Sequence, residues 1–572
     1  MSKKFLIYLG SFIIILFFVF RNLLLNLSTN LLDWRDYPFI IWVISQNVTH
    51  IKTFDLVHFF ETNAFYPHKL TALFTDILLP QSAMYLPFFT LTNNPILSLN
   101  LVFIITFILN FVSSFLFWKL IFKKDITAFL GSLFLIFSPF FHMELSHFQM
   151  MSYWPFLFAL YFMFKSRSDN KKSDPVIIGL LLSIQFLTSV YLSVYLICSI
   201  LFFFLIEYLY KRDKHIFYKL FAIFFFFSLT SGVFIKGYLD MKNFYYVKRD
   251  IKEYITYSAN LSDYIFTSTI NSLIHKSDIM QIWNKADKNL GGHSSFPGFL
   301  VFILSTLAIF KISKAKNSPS IILELSQDKA FFLILIIIGF VFSLGPRLTF
   351  NGNYAHIPLP YSAILKFIPI AEATRVPSRW SFLFFFGLIY FSLVTLNKLS
   401  SKTFHKFILS SVFVIFLLEY LPLNIQSVKD SYINSDYQII KNVCSKEKKV
   451  LLELPLTHLN AYPNIIEGLR YVTVMELSST YHGCLLVNGY SGYDLPDNFL
   501  LSDVLEGYIK NQEMQRFVNE LRKRNIDYVK FNQYYFIKEL KLPVYEFVNA
   551  IATESGVEKI SQNLFYVESL KK

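Results

Sequence analysis

The sequence is poor in charge and in cysteine, and each shortage excludes a class of protein. Charged side chains make up 16% of the 572 residues, too few for the surface of a soluble protein of this length. The three cysteines, Cys198, Cys444 and Cys484, do not have the spacing of a metal site. The chain lacks a glycine-rich phosphate-binding loop, which argues against a nucleotide-sugar donor or ATP-driven work. It also has no internal repeat, which disfavours the inverted-repeat transporters.

Apolar and aromatic residues dominate the composition. Hydrophobic residues make up 54% of the chain and aromatic residues 19%, including 67 Phe, which indicates a polytopic membrane protein. No small-residue cleavage site follows the first apolar run, 5–25, so we interpret it as an uncleaved span. The apolar segment 77–92 is shorter and contains proline, and whether it crosses the membrane is left open. The other candidate spans are 97–121, 125–141, 149–165, 175–190, 191–210, 216–236, 297–313, 329–345, 380–397 and 407–423.

The placement of Lys and Arg predicts the topology. Much of the net charge of +14 lies in short loops between spans, where it marks the cytoplasmic side and does not suggest nucleic acid. The N-terminus is then cytoplasmic, and the outer side carries three large loops, 26–78, 237–296 and 346–379. The predicted fold is an α-helical polytopic membrane protein with about 11 to 13 transmembrane helices over residues 1–423. A small extracytoplasmic α/β domain is expected over 424–572.

The tail has the mixed pattern of an α/β domain. Segment 500–525 has helical periodicity and ends in basic residues. Cys444 and Cys484 can pair if the tail faces an oxidising compartment, although two separate buried thiols are the simpler interpretation. Four segments have the composition of strands: 448–456, 471–477, 526–531 and 564–570.

Two acids, Asp33 and Asp36, follow the first apolar run, with Arg35 between them. In the simpler interpretation they hydrate the end of the span and pair with Arg35. Alternatively, one of them is a base in a cleft at the membrane surface, because partial desolvation raises the pKa of a carboxyl group and makes it a better proton acceptor. The apolar segment 39–50 is too short to span and is expected to lie along the membrane surface.

Short motifs follow one another over nearly the whole chain. The stretch RDYPFIIWVISQNVTH (35–50) is followed by FYP at 65–67, then by HMELSHFQ (142–149), RVPSRW (375–380) and NGYSGYD (488–494). This ordered set resembles a large group of bacterial membrane proteins in the GT-C glycosyltransferase superfamily. Two positions depart from the group's pattern: Arg35 stands where Gly is frequent, and Asp76 where Glu is common.

The resemblance implies a transferase that moves a sugar from a polyprenyl phosphate to an envelope glycan, lipid or protein on the outer face of the cell (inner) membrane. It assigns the catalytic role to Asp36 first and Asp33 second, because the acceptor hydroxyl must lose a proton as it attacks. A cation near the membrane must meet the anionic leaving phosphate. The candidates are Arg375, Arg379, Lys242 and Arg249, with Lys248 and Lys252 as alternatives. A lipid-headgroup anchor is the simpler role for Arg379.

Further polar residues are candidates for acceptor binding or for the lining of the cleft: His50, His68, Asp76, Glu144, His147, Tyr490 and Tyr493. Glu144 and His147 are three apart, so one helical turn aligns them, and with His142 they make a possible zinc set. In the simpler interpretation these groups cap the ends of spans. The two tyrosines then belong to a structural turn. The need for a divalent metal is left open.

Two other functions compete with glycosyl transfer. A transporter of lipid-linked oligosaccharides would carry charges inside its spans, and a non-catalytic envelope-assembly protein would need no catalytic acid. The predicted spans are nearly free of charge, whereas acids and bases gather in the outer loops, which favours chemistry at the surface. The expected partners are a polyprenyl-phosphate sugar, an acceptor and the bilayer, without nucleic acid. The sequence does not define the sugar, the acceptor or the stereochemical outcome.

Overall fold

A computed structural model describes residues 3–169, 171–246, 248–267, 270–286, 295–314, 325–367, 372–399, 405–423, 425–429, 432–456, 462–493 and 495–569. The chain divides into two compact units. The first unit comprises Met1–Leu25, Val102–Lys236 and Lys248–Ile425, and the second comprises Asn26–Leu101, Gly237–Val247 and Gln426–Lys572. The second unit thus combines the tail with residues 26–101, which the sequence placed in a separate domain. The extracytoplasmic location of the tail stays a prediction.

The first unit is built from helices and a short hairpin, Arg347–Phe350 with Asn353–Pro358. Its helices are Lys3–Val19, Arg21–Leu24, Asp125–Ile136, Pro139–Glu144, Phe148–Met151, Trp154–Asp169, Asp174–Thr188, Val190–Lys211, Ile251–Thr256, Asp278–Asn284, Phe299–Lys314, Gln327–Ser343, Pro360–Phe367, Ser381–Leu399 and His405–Tyr420, with 3-10 turns at Leu261–Tyr264 and Pro377–Trp380. Two long helices, Pro95–Phe122 and His215–Tyr245, have residues in both units.

Within the described residues, five helical segments are long and apolar enough to cross a membrane. They are Pro95–Phe122, Asp125–Glu144, Val190–Lys211, His215–Tyr245 and Pro377–Leu399. The prediction of a polytopic α-helical membrane protein is therefore confirmed. The helix Leu79–Thr92 has 14 residues, fewer than the roughly 20 that a span needs. The total of about 11 to 13 spans stays a prediction.

The second unit contains a five-stranded mixed sheet. The strand order is Leu485–Leu486, Val450–Leu454, Tyr528–Phe531, Leu564–Val567 and Val557–Lys559; the first three strands are parallel and the last two antiparallel to their neighbours. A separate two-residue ladder joins Asn30–Leu31 to Val428–Lys429. The helices are Asp36–Thr53, Leu79–Thr92, Ser435–Cys444, Ile465–His482, Pro496–Lys510, Met514–Lys523 and Tyr545–Ala550, with a 3-10 turn at Thr71–Phe74 and a π-turn at Tyr535–Glu539.

The core of the sheet confirms the predicted α/β character of the tail. Leu452 and Leu454 from one strand pack with Val529 and Phe531 from the next, all nearly inaccessible to solvent. Apolar faces of the surrounding helices cover them. Three of the four predicted strand segments contain strands of this sheet: Val450–Leu454, Tyr528–Phe531 and Leu564–Val567.

The fourth segment, 471–477, is wrongly predicted as a strand, because it lies inside the helix Ile465–His482. Its β-branched and aromatic residues favour a strand, but this preference is weak and tertiary packing overrides it. The helix has clear end signals: the Asn464 side chain accepts the Ile466 N–H at 3.1 Å, and Gly483 ends it with a φ of 74°.

Three other expectations are corrected. Segment 500–525 forms two helices, because Gln512 adopts a left-handed φ of 56° between Lys510 and Met514. Segment 39–50, expected as a separate surface segment, belongs to the helix Asp36–Thr53, and most of its residues are buried in protein. Cys444 and Cys484 form a disulfide, with their Cα atoms 5.1 Å apart. Their interpretation as separate thiols is therefore wrong.

Candidate functional site

The two predicted catalytic acids have different surroundings. The Arg35 backbone N–H donates to Asp33 Oδ1 at 2.9 Å, and the Arg35 guanidinium lies 3.4 Å from Asp33 Oδ2. Asp36 instead begins the helix Asp36–Thr53, where the N-terminal partial charge stabilises a carboxylate. The hydroxyl of Tyr490 donates to Asp36 Oδ1 at 3.3 Å. The local ion pair expected between Arg35 and the acids therefore forms with Asp33, while Asp36 contacts a tyrosine of the tail motif.

The tail motif 488–493 packs against the FYP segment of the first loop. Backbone N–H groups of Phe65 and Tyr66 donate to Asn488 O at 2.9 Å and Leu486 O at 2.8 Å. The Gly492 N–H donates to Phe74 O at 3.2 Å, and the ring of Tyr493 lies 6.2 Å from that of Phe74. The structure therefore brings two separately predicted motifs into one assembly within the second unit.

A buried carboxyl fixes the loop that carries Tyr490. Glu476 Oε1 accepts the Tyr490 backbone N–H at 2.6 Å, and Glu476 is fully buried on the helix Ile465–His482. Burial raises the pKa of Glu476 well above its usual range, against a smaller opposing effect of the Tyr490 N–H. Close packing adds to this constraint, because a Cβ at Gly489 would lie 2.5 Å from the ring of Phe65.

The remaining candidates of the first loop have mostly structural contacts. His50 Nε2 lies 2.9 Å from Glu61 O, and burial lowers the pKa of His68. Asp76 follows Thr75, whose carbonyl accepts the hydroxyl of Tyr238 at 2.8 Å. His50 thus ties the helix Asp36–Thr53 to the following loop, and a role of His50, His68 or Asp76 in acceptor binding stays a prediction.

In the first unit, Arg379 forms a buried ion pair with Glu144. Arg379 Nε lies 3.0 Å from Glu144 Oε2, and His147 Nδ1 lies 3.0 Å from the same oxygen. The Arg379 guanidinium also stacks 4.9 Å from the ring of Tyr191. The predicted proximity of Glu144 and His147 is present. The pairing with Glu144 neutralises the charge of Arg379, which weakens its case as a phosphate ligand.

The possible zinc set does not converge. His142 Nε2 contacts the carbonyl of Tyr420 at 3.0 Å, while Glu144 contacts Arg379 and His147. Over the part of the chain that the structure describes, no three His, Cys, Asp or Glu side chains form a cluster fit for a metal ion. The metal requirement of the protein stays open.

Two of the predicted phosphate-binding arginines meet at one carboxylate. Glu253 Oε1 lies 2.9 Å from Arg249 Nη1 and 3.6 Å from Arg375 Nη1. Arg375 also stacks 5.4 Å from the ring of Tyr257. The Arg375 side chain is 33% exposed, whereas that of Arg249 is 11% exposed. Lys242 lies half-buried on the helix His215–Tyr245, in the second unit.

The second unit also contains a polar cavity of about 350 Å³ that the sequence did not indicate. Trp34, between the two predicted acids, is part of its wall, together with Arg470 and Tyr471 on the helix Ile465–His482 and Lys530 on the sheet. The guanidinium of Arg470 stacks 4.3 Å from the Trp34 ring. Only the tryptophan beside two acids could have been noticed in the sequence, because the other residues come together through the fold.

A buried ion pair forms one side of this cavity. Lys530 Nζ donates to Glu453 Oε2 at 2.7 Å and to the hydroxyl of Tyr437 at 2.8 Å, and Tyr437 donates to Glu453 Oε1 at 2.8 Å. Burial alone would lower the pKa of Lys530, but Glu453 and Tyr437 outweigh it and raise the pKa. Lys530 is therefore positively charged, and Glu453 balances its charge.

Comparison with known proteins identifies the architecture. Residues 10–419 match a family described as DUF6311, a domain of unknown function. No curated protein matches the chain. The arabinofuranosyltransferase AftD from mycobacteria is similar over 93% of this chain and 37% of its own, with 9% identity and a TM-score of 0.50. An oligosaccharyltransferase from Archaeoglobus fulgidus, solved with a tethered acceptor peptide, is similar over 93% of this chain and 70% of its own, with 11% identity and a TM-score of 0.51.

These similarities show the fold and no more. The chain spans little more than a third of the length of the mycobacterial protein. The GT-C architecture predicted from the motifs is therefore confirmed, and the protein is a membrane protein with five apolar helices of spanning length in its described part.

Proposed function

The chain belongs to the DUF6311 family, and from its fold and the position of Asp36 we propose that it is a membrane glycosyltransferase. The observation that carries the proposal is the position of Asp36. It begins the first helix of the second unit and accepts a hydrogen bond from Tyr490, in a fold shared with two glycosyltransferases. A sugar on a polyprenyl phosphate is the proposed donor, and an envelope glycan, lipid or protein is the proposed acceptor.

In the proposed reaction Asp36 is the general base. The acceptor hydroxyl oxygen attacks the anomeric carbon, and its proton moves to the Asp36 carboxylate. The bond between the anomeric carbon and the phosphate oxygen breaks, and its electron pair leaves with the polyprenyl phosphate. Tyr490 and the helix N-terminus keep Asp36 oriented and ionised before the reaction.

The leaving phosphate needs a cation, and Arg249 and Arg375, which meet at Glu253 within the first unit, are the proposed ligands. Arg249 and Arg375 lie 2.9 and 3.6 Å from the same oxygen of Glu253, so two guanidinium groups come close together there. Arginine offers paired donors to phosphate that lysine does not reproduce. Arg379 is the weaker candidate because Glu144 already neutralises it.

The disulfide supports an active site on the outer face of the membrane. Disulfides persist in oxidising compartments and are rare in the cytosol, and Cys444–Cys484 lies in the second unit together with Asp36. The proposed orientation, with a cytoplasmic N-terminus and an extracytoplasmic tail, agrees with the placement of basic loops.

The test uses purified full-length protein and a panel of short-chain polyprenyl-phosphate hexoses and pentoses. Release of polyprenyl phosphate reports turnover, with membrane extract as the source of acceptor. Asp36→Asn should lower turnover about 100-fold, whereas Asp33→Asn, the matched control, should keep most of it because Asp33 is paired with Arg35. Near-parental turnover by Asp36→Asn would show that Asp36 is not the general base.

The phosphate site is tested separately at limiting donor. Arg375→Lys and Arg249→Lys should each raise the donor KM with a smaller change in kcat. Arg516→Lys is the control, since Arg516 is exposed and pairs only locally with Glu513 among its described contacts. An unchanged KM in both variants would place the phosphate elsewhere.

A further inference from the structure

The cavity of the second unit has no role in the proton or phosphate chemistry described above. Its volume of about 350 Å³ lies in the range of roughly 300–1,000 Å³ that is usual for small-molecule sites. One wall is Trp34, two residues before Asp36, and another is the helix that carries Glu476, the residue that fixes the Tyr490 loop. The cavity thus shares the helix Ile465–His482 with the residue that fixes the Tyr490 loop.

The lining is aromatic with polar edges. Six aromatic side chains contribute to it: Trp34, Tyr432, Tyr437, Tyr471, Tyr534 and Tyr535. The rings of Tyr471 and Tyr535 lie 4.4 Å apart. Aromatic rings of this kind offer an apolar face together with a polar group at the edge, although the hydroxyl of Tyr437 is already bonded to Glu453 and Lys530. A sugar ring has the matching surface, with C–H groups on its faces and hydroxyls around its rim.

The positively charged side chains that line the cavity are paired with neighbouring acidic residues. Glu453 and Tyr437 hold Lys530, and Arg470 lies 3.8 Å from Glu467 and stacks on Trp34. Neither cation leaves an excess charge to attract an anion. This balance favours a neutral ligand over a phosphate, a sulfate or a uronic acid.

The buried hydroxyl of Tyr471 indicates a ligand that can form a hydrogen bond. Tyr471 is only 5% exposed, and no group in the described part of the chain makes a hydrogen bond with its hydroxyl. A buried hydroxyl without a partner is costly to fold and uncommon in native proteins. A ligand hydroxyl in the cavity would satisfy it.

We propose that this cavity binds a neutral saccharide and, resting on the proposed transferase function, that this saccharide is part of the acceptor. Trp34 and the tyrosines contact its ring faces, and the Tyr471 hydroxyl hydrogen-bonds one of its hydroxyls. Trp34, which lines the cavity, precedes Asp36 by two residues.

The experiment measures binding by full-length protein in detergent to an array of neutral oligosaccharides made of hexoses, pentoses and deoxyhexoses. The same array carries uronic-acid and phosphate-bearing counterparts. The strongest neutral oligosaccharide is then titrated in solution. Tyr471→Phe should weaken its affinity roughly three- to tenfold, the value of one net hydrogen bond, without lowering thermal stability in the absence of saccharide. Tyr534→Ala, at an exposed ring, should also weaken it.

Tyr153→Phe is the matched control. Tyr153 is another buried tyrosine whose hydroxyl has no hydrogen bond within the described residues, but it does not line the cavity, so affinity should not change. The inference is overturned by binding of no neutral saccharide, by binding of anionic ones alone, or by unchanged affinity in both Tyr471→Phe and Tyr534→Ala. Asp36→Asn separates the two proposals: it should keep saccharide affinity while losing turnover. Normal turnover without saccharide binding would refute only the cavity assignment.

Discussion

Replacing Gly489 by alanine should damage both stability and turnover, because there is no room for a methyl group. The added Cβ would lie 2.5 Å from three ring carbons of Phe65, almost an ångström closer than ordinary contact. Phe65 cannot easily withdraw, since its N–H donates to Asn488 O at 2.9 Å. Such overpacking costs about 1–3 kcal/mol. The backbone shift would also move Tyr490, the next residue, away from Asp36.

The measurement compares thermal unfolding and polyprenyl-phosphate release for purified variants. Gly507→Ala is the control: nothing lies within 4 Å of its added Cβ, and it sits in the helix Pro496–Lys510, so it should be neutral or stabilising by about 1 kcal/mol. Phe65→Leu should partly rescue Gly489→Ala, because a smaller side chain frees the space. If Gly489→Ala were as stable and as active as the parent, the packing argument would fail.

Three further predictions concern the second unit. Removing the disulfide by Cys444→Ala with Cys484→Ala opens a link across 40 residues and should destabilise this unit by up to about 4 kcal/mol, seen as faster proteolysis; an unchanged rate would contradict it. Glu453→Gln leaves Lys530 buried without its counter-charge and should cost about 3–5 kcal/mol, whereas the Glu453→Leu, Lys530→Met pair should be much milder; equal losses would argue against the ion pair. Burial lowers the pKa of His482 to about 3, so the unfolded state binds a proton first as the pH falls below about 6.5. The free energy of unfolding should therefore be full above that pH and decline by up to about 1.4 kcal/mol per pH unit down to about pH 3. In unfolding measured as a function of pH, His482→Gln should flatten this decline.

The polytopic helices were predictable because a span must be a long apolar run. Asp36 could be selected as a candidate, as an acid that follows such a run, and its catalytic role stays a prediction. The pairing of Tyr490 with Asp36 was not, since 454 positions separate them and only the fold brings them together.

The helix Ile465–His482 shows why the cavity was missed. Residues 471–477 have strand propensity, so this segment was predicted as a strand. As a helix, the same residues present Tyr471 to the cavity and Glu476 to the Tyr490 loop. Local propensity is too weak to decide such a case against tertiary packing.

Chemical rescue tests the central claim most directly. Asp36→Ala removes the carboxylate but leaves space beside Tyr490 for a small carboxylic acid from solution. If Asp36 is the base, added formate should restore part of the polyprenyl-phosphate release in Asp36→Ala, chloride at the same ionic strength should not, and Asp33→Ala should need no rescue. Turnover in Asp36→Ala that equals the parent without formate, or that stays absent in formate while the protein remains folded and binds donor, would contradict the account.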